Sequence, residues 1–100
     1  MNRDDAQKAL AECRSRIDEI DRHILRLLNE RTRVVQQIGD VKHKVSLPIY
    51  EPKREDEVLD NVTAHNTGPL PSDAVKRVFE RVIDEMRTVQ RQRMLKKAQE

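Results

Sequence analysis

The first half of the chain carries one unbroken helical repeat of apolar positions. These residues recur at spacings of three and four, and only one charged residue, Arg31, stands in the series. The pattern predicts an amphipathic helix from about Asp4 or Asp5 to His43 or beyond. Burying a guanidinium is costly unless an anion meets it, so Arg31 predicts a negative group there, from the protein or from a ligand. The apolar members are Leu10, Cys13, Ile17, Ile20, Ile24, Leu27, Val34, Ile38, Val41 and Val45.

The length of this predicted helix indicates a second copy of the chain. Residues 10 to 45 would span roughly 54 Å as a helix, whereas a compact chain of this size has a radius of gyration of about 13 Å. Such a helix leaves much of its apolar stripe uncovered, and a second chain is the simplest cover. We therefore expect an all-α, intertwined homodimer.

Two further helices are predicted after a break at residues 47–50. The second covers roughly 52 to 65, because Pro52 suits a first helical turn. Its apolar residues share a face with Arg54 and Glu55, which therefore point inward. They are Val58, Leu59 and Val62.

The third helix is predicted to begin with Ser72 as its N-cap. Its apolar stripe ends in a polar residue, Gln90, and the residues from Arg91 onward are polar and expected to fray. We expect a single domain over 1–100, with a core at about 8–93 and a polar tail at 94–100. The stripe consists of Val75, Val78, Phe79, Val82, Ile83, Met86 and Val89.

Composition narrows the class of protein. The chain is 36% hydrophobic and 38% charged, a thin core for a self-sufficient monomer of this length. The net charge of +2 is too balanced to indicate a nucleic-acid surface. Tyr50 and Phe79 are the only aromatic residues, so no base-stacking platform is predicted.

The sequence gives little support to cofactor, metal or covalent chemistry. Two glycines cannot form a phosphate-binding loop, and the histidines do not fall at metal-ligand spacings. Cys13 is the one cysteine, which fits a reducing compartment. No apolar run follows the N-terminus, so we expect no signal peptide, no membrane span and a cytoplasmic protein.

Polar residues on all three predicted helices face inward, and most are cations. Lys42 lies eleven positions past Arg31 and hence about 20° away around the helix. Arg14 cannot join them within its own chain, but an antiparallel partner could supply it. Together with Arg54, carboxylates and an amide, they would suit a small dianion that carries a hydroxyl.

Each of these residues also has a plainer interpretation. Arg31 could form a structural ion pair or set the register of a helix seam, and Lys42 could be a surface lysine. The acids and arginine at the start of the second helix could form an exposed salt-bridged turn, and Gln90 could simply end the stripe. The presence of inward-facing polar residues on all three predicted helices nevertheless favours a binding site.

An ordered set of residues runs through the three predicted helices: Arg14, Ile17, Asp18, Asp21, Leu25, Leu27, Leu28, Arg31, Ile38, Gly39, Lys42, Glu51, Arg54, Glu55 and Gln90. This set resembles the all-α, type II chorismate mutases over about residues 10 to 92. The resemblance implies an intertwined dimer of three-helix chains that converts chorismate, a dianion, to prephenate on the way to phenylalanine and tyrosine. The reaction is a Claisen rearrangement and needs no cofactor, metal or covalent intermediate.

The resemblance also implies a role for each site residue. Arg31 and Arg14 of the partner subunit would hold substrate carboxylates, and Lys42 would contact a carboxylate and the ether oxygen. Gln90 would donate its amide to the same oxygen from the other side.

The remaining implied roles belong to the second helix and its approach. Glu55, assisted by Glu51, would position the ring hydroxyl, while Arg54 would hold a carboxylate and orient the acids. This chain departs from the best-known pattern in having Glu51 in place of aspartate and Met86 in place of serine. Some members carry glutamate in place of Gln90 and need it protonated, so the neutral amide predicts activity that does not require acid.

Two other functions compete with the mutase. An isochorismate-pyruvate lyase, which forms salicylate, uses the same scaffold and a similar cationic pocket. A non-catalytic helical dimerisation or regulatory module would use Arg31 only to fix register. Some mutases also bind an enzyme that acts earlier in the shikimate pathway, and the polar tail could serve such a contact. If the sequence is complete, we expect a monofunctional protein.

Overall fold

The chain is all-α, with three helices. The computed structural model describes residues 1–99, in which α1 spans Arg3–Lys44, α2 spans Pro52–Ala64 and α3 spans Ser72–Gln99. No strand occurs in this part of the chain. The predicted helices, including the long N-terminal one, are confirmed with ends that differ by a few residues. The chain divides into two compact units, residues 1–33 and the part that begins at Val34.

The first unit is the N-terminal part of α1, and its apolar side is uncovered. The Asn2 side chain accepts a hydrogen bond from the Asp5 backbone N–H at 2.8 Å and so begins the helix. The apolar residues that follow are about half exposed, and Cys13 on the same stripe is exposed as well. Within this unit nothing covers the stripe, which consists of Leu10, Ile17, Ile20, Ile24 and Leu27.

In the second unit, α2 packs against α3 around a small core. Val75, Ile83 and Met86 are the buried apolar residues in the described part of the chain, and no side chain there is completely enclosed. The predicted stripe of α3 is partly or fully buried except at Val78, which is exposed. Val78 lies at the edge of that stripe, away from Ile83 on the helical circumference. The thin core agrees with the composition.

A compact cap ends α1 and turns the chain back towards it. The Leu47 N–H donates to the Lys42 carbonyl at 2.8 Å, and the Ser46 N–H donates to the His43 carbonyl at 3.4 Å. Ser46 has a φ of 58°, the left-handed conformation that such caps require. This turn returns the segment before α2 to the last turn of α1.

The end of α3 corrects one prediction from the sequence. The residues from Arg91 onward were expected to fray, but α3 continues to Gln99. Arg93 and Lys97 pair with Asp40 of α1, which gives this polar stretch partners inside the chain. Glu100, the last residue of the predicted tail, lies outside the described residues. None of the three helices, as far as they are described, is long and apolar enough to cross a membrane.

Candidate functional site

Lys42 is the most buried charged residue in the described part of the chain. It lies in the last turn of α1, and 9% of its side chain is exposed. Its Nζ donates to the Ile49 carbonyl at 3.0 Å and lies 3.3 Å from Glu51 Oε1. Because the turn after α1 brings both oxygens to the ammonium, Lys42 is not a surface lysine. A buried ammonium with acceptors on one side suits an anion on the other.

Lys42 also lines two shallow depressions. One, of about 420 Å³, is formed by α1 alone with Val34, Ile38 and Val41. The other, of about 440 Å³, lies against the turn and α3 and includes Ile49. Glu55 and Gln90 line neither of these two depressions.

Gln90 is buried and faces α1. Its Nε2 donates to the Val35 carbonyl at 3.1 Å. The helices come close here, since a Cβ on Gly39 would lie 3.6 Å from Met94 Cε and 3.8 Å from Gln90 Cγ. These are ordinary contact distances, so this position would also accept alanine.

Three charged residues join α1 to α3 in the two turns that follow Gln90. The Asp40 carboxylate accepts hydrogen bonds from Arg93 Nε and Nη2, each at 3.2 Å, and a short one from Lys97 Nζ. The hydrogen bonds from Arg93 and then Lys97 lower the pKa of Asp40 from 3.8 to about 2, against the opposing effect of burial. The same bond raises the pKa of Arg93. This cluster fixes the turn of α3 that follows Gln90.

The lowered pKa of Asp40 predicts acid-sensitive stability. Because the folded value of about 2 lies below the value of 3.8, the contribution of Asp40 is complete above pH 4 and is lost as the pH falls towards 2. We expect the thermal midpoint of the wild-type chain to fall more steeply over this interval than that of Asp40→Asn. Glu85→Gln, which removes an exposed partner of Arg81, serves as the matched control. Equal slopes for wild type and Asp40→Asn would contradict the assignment.

Glu55 is held by a residue that the sequence analysis missed. Arg87 Nη2 donates to Glu55 Oε1 at 2.5 Å, and Arg87 Nε donates to Glu55 Oε2 at 3.1 Å. The bond to Glu55 raises the pKa of Arg87. A signal for Arg87 was present, because it lies four residues after Ile83 and three before Gln90 on the buried stripe. A guanidinium on a buried stripe predicts a negative partner, and for Arg87 that partner is Glu55.

A cavity beside Glu55 is unsuited to an anionic ligand. It has a volume of about 210 Å³ and is lined by carboxylates as well as Tyr50 and Leu59. Carboxylates repel a dianion, so this cavity does not suit the anionic groups of such a ligand. Its acidic residues are Glu55, Asp56, Glu80 and Asp84.

Arg54 does not occupy the inward position predicted for it. Its guanidinium is exposed and Nη1 donates to Glu57 Oε2, three residues along α2, at 3.4 Å. This local partner on the exposed face competes with an inward orientation of the Arg54 guanidinium. The side chain of Glu51 is likewise about half exposed, although it pairs with Lys42. In this structure Arg87, and not Arg54, pairs with Glu55.

The other two predicted arginines belong to the first unit. Arg14 is exposed, and Arg31 is partly buried. The structure thus brings Lys42 and Glu51 together and pairs Glu55 with Arg87. It places Gln90 against α1. No group of three potential metal ligands occurs among the described residues.

Comparison with known proteins identifies the family. A family model described as Chorismate mutase type II matches residues 13–91, most of the chain and both units. The chain belongs to the type II chorismate mutases. A chorismate mutase of Methanocaldococcus jannaschii is 31% identical over 87 residues, which cover 83% of this chain and 85% of that protein.

Other chorismate mutase relatives are larger than this chain. It is 40% identical over 78 residues to a bifunctional chorismate mutase/prephenate dehydratase of Aquifex aeolicus, which covers 74% of this chain but 22% of that protein. The chain thus spans about a fifth of the length of several relatives that it matches.

Solved chorismate mutase structures share the fold. The form II structure from Thermus thermophilus has a TM-score of 0.81 and 37% identity, and the similarity covers 83% of this chain and 94% of that one. The chorismate mutase of Helicobacter pylori, solved in complex with prephenate, has a TM-score of 0.78 and 27% identity, with 85% and 92% covered.

Proposed function

We propose that this chain catalyses the rearrangement of chorismate to prephenate. The observation that carries the proposal is the buried ammonium of Lys42, held in a chain that belongs to the type II chorismate mutases. The relative from Helicobacter pylori that shares its fold was solved with prephenate. Lys42 and Gln90, each buried on its own helix, supply a charged and a neutral N–H donor.

This reaction needs hydrogen-bond donors but neither a general base nor a nucleophile. In the Claisen rearrangement one carbon–oxygen bond breaks while a carbon–carbon bond forms, and no proton leaves the substrate. The protein must hold a flexible side arm over the ring and stabilise negative charge that develops on the ether oxygen. An ammonium has three N–H groups and an amide has two, so the bonds to Ile49, Glu51 and Val35 leave donors for that oxygen.

The arginines are proposed to bind the substrate carboxylates. The resemblance assigns this role to Arg31, to Arg14 of the partner subunit and to Arg54. Arg54 would have to leave Glu57 for a substrate carboxylate, and an exposed pair of this kind costs little to break. Glu55, assisted by Glu51, would receive the ring hydroxyl.

A homodimer is part of the same proposal. The apolar stripe of α1 is about half exposed along both units, including Ile24 in the first and Val41 in the second. Fully burying one such side chain stabilises by about 1.5–3 kcal/mol, so a long stripe favours association with a second copy. We infer that the partner covers the stripe and brings its own Arg14 to the site.

If the apolar stripe of α1 is the dimer interface, a charged residue on it should strongly weaken self-association. Ile24→Glu should weaken self-association at least about a hundredfold, because each dimer would bury two unpaired carboxylates in place of two apolar side chains. Light scattering after size-exclusion chromatography at several concentrations measures this. Arg22→Glu, on the opposite face of α1, is the control and should remain dimeric. An Ile24→Glu chain that associates like the wild type would contradict the interface.

Product analysis tests the activity. The purified chain is incubated with chorismate at neutral pH, the loss of absorbance is followed and the product is identified; the assay is repeated with isochorismate. Prephenate from chorismate supports the mutase. Salicylate and pyruvate from isochorismate, with little turnover of chorismate, would replace it with the lyase. A folded dimer inactive on both would favour the regulatory module.

Two further predictions accompany the proposed activity. The enzyme is expected in the cytoplasm, where Cys13 would remain reduced. An interaction with an enzyme that acts earlier in the shikimate pathway also stays a prediction. The polar end of α3, which would make this contact, pairs in part with Asp40 of its own chain.

A further inference from the structure

Arg87 forms contacts on three sides, from three parts of the second unit. Its guanidinium makes a two-point hydrogen bond with Glu55 at the start of α2. Its Cζ lies 5.0 Å from the centroid of the Tyr50 ring, in the segment before α2. Its Nη1 lies 3.5 Å from Asp84 Oδ1 on α3 itself. A planar guanidinium held in this way has one orientation.

The pair with Glu55 is more buried than the arginine pairs that lie within a single helix. The side chains of Arg87 and Glu55 are 23% and 25% exposed, whereas those of Arg81 and Glu85 on the same helix are 76% and 55% exposed. Exposed pairs within one helix contribute little and leave both side chains free to move. The Arg87 pair instead joins α2 to α3 and fixes both oxygens of one carboxylate.

We propose that Arg87 is a positioning residue that orients the Glu55 carboxylate towards the ring hydroxyl of the substrate. The inference rests on the proposed function. A fork that donates to both carboxylate oxygens prevents rotation of the carboxylate, while each oxygen keeps a second lone pair for a hydroxyl donor. Arg87 does not touch the substrate, and its effect passes through Glu55.

A double-mutant cycle of Arg87→Gln and Glu55→Gln tests this role. Arg87→Gln alone should lower kcat/KM for chorismate by about 10- to 100-fold, the range seen when a supporting hydrogen bond is removed or a reactive group is misplaced. In the Glu55→Gln background, Arg87→Gln should lower kcat/KM by less than about twofold, because the carboxylate that Arg87 orients is already lost. Arg87→Lys keeps the positive charge but cannot donate to both carboxylate oxygens in the same way. Its kcat/KM should lie between those of the wild type and Arg87→Gln.

A second readout separates orientation of the hydroxyl from a general loss of structure. The probe is a chorismate analogue without the ring hydroxyl, measured as a competitive inhibitor. Its inhibition constant should change less than about twofold in Arg87→Gln, since Glu55 has no hydroxyl to receive from it. A disordered site would weaken binding of the analogue by as much as it lowers turnover of chorismate. Arg81→Gln, which breaks an exposed pair on the same helix, is the matched control and should behave as wild type.

The possible results distinguish the two proposals. A folded wild-type chain without chorismate turnover would overturn the proposed function, and the role of Arg87 with it. An active wild type with an unaffected Arg87→Gln variant would overturn the role of Arg87 alone. So would equal losses of chorismate turnover and analogue binding. If Arg87→Gln does not fold, the same comparison is made with Arg87→Lys, whose kcat/KM should fall while the inhibition constant stays unchanged.

Discussion

Lys42→Met should lower kcat/KM for chorismate by about a thousandfold, the upper end of the effect of removing one donor to a developing oxyanion. The ammonium is buried in the last turn of α1, where its charge is screened less than at the surface. Methionine keeps the apolar stem and removes the charge and all three N–H groups. Steady-state kinetics with chorismate measure the change.

The control for Lys42→Met is the same substitution at Lys44. That lysine is exposed at the end of the same helix, so Lys44→Met should retain wild-type turnover. Since Lys42 also bonds the Ile49 carbonyl, the thermal midpoint is measured for both variants. A folded Lys42→Met chain with more than a tenth of wild-type kcat/KM would exclude Lys42 as the principal donor.

Gln90→Glu should convert a rate that is independent of pH into one that requires acid. A carboxyl donates a hydrogen bond only when protonated, and burial at this position would raise its pKa. Above that pKa the rate of the variant should fall by about tenfold per pH unit. The wild-type amide does not titrate, so its rate should stay level between pH 5 and pH 8. Profiles of kcat/KM against pH for both chains provide the test.

Gln92→Glu is the matched control for this substitution. Gln92 is exposed two residues further along α3, and a carboxylate there should leave the profile level. A Gln90→Glu chain with a level profile would mean that the amide does not act on the reacting oxygen. A wild-type rate that collapses between pH 5 and pH 8 would contradict the prediction from the sequence.

The helices were predictable because their signals are local. The spacing of apolar residues gave α1, Pro52 gave the start of α2 and Ser72 marked the start of α3 to within a residue. The end of α3 was not predictable in this way, because Arg93 and Lys97 are stabilised by Asp40, more than fifty residues earlier. Polar composition predicts fraying only when no such distant partner exists.

The candidate site was predictable in its residue types but not in its pairing. Lys42 is buried as its helical position suggested, and Gln90 is buried at the end of the stripe. Helical spacing gives the face on which a side chain lies but not its partner across the turn or the neighbouring helix. Arg54 and Arg87 both could have paired with Glu55, and only the packing of α2 on α3 favours Arg87.

The turn after α1 has a consequence for the entropy of ligand binding. A free lysine side chain samples many rotamers, and fixing one costs about 1.5–2 kcal/mol. The bonds from Lys42 to Ile49 and Glu51, all within the folded chain, hold this side chain in one position. This entropic cost is therefore part of the free energy of folding and not of the free energy of anion binding. The short cap around Ser46, which returns Ile49 to Lys42, would in this way strengthen binding.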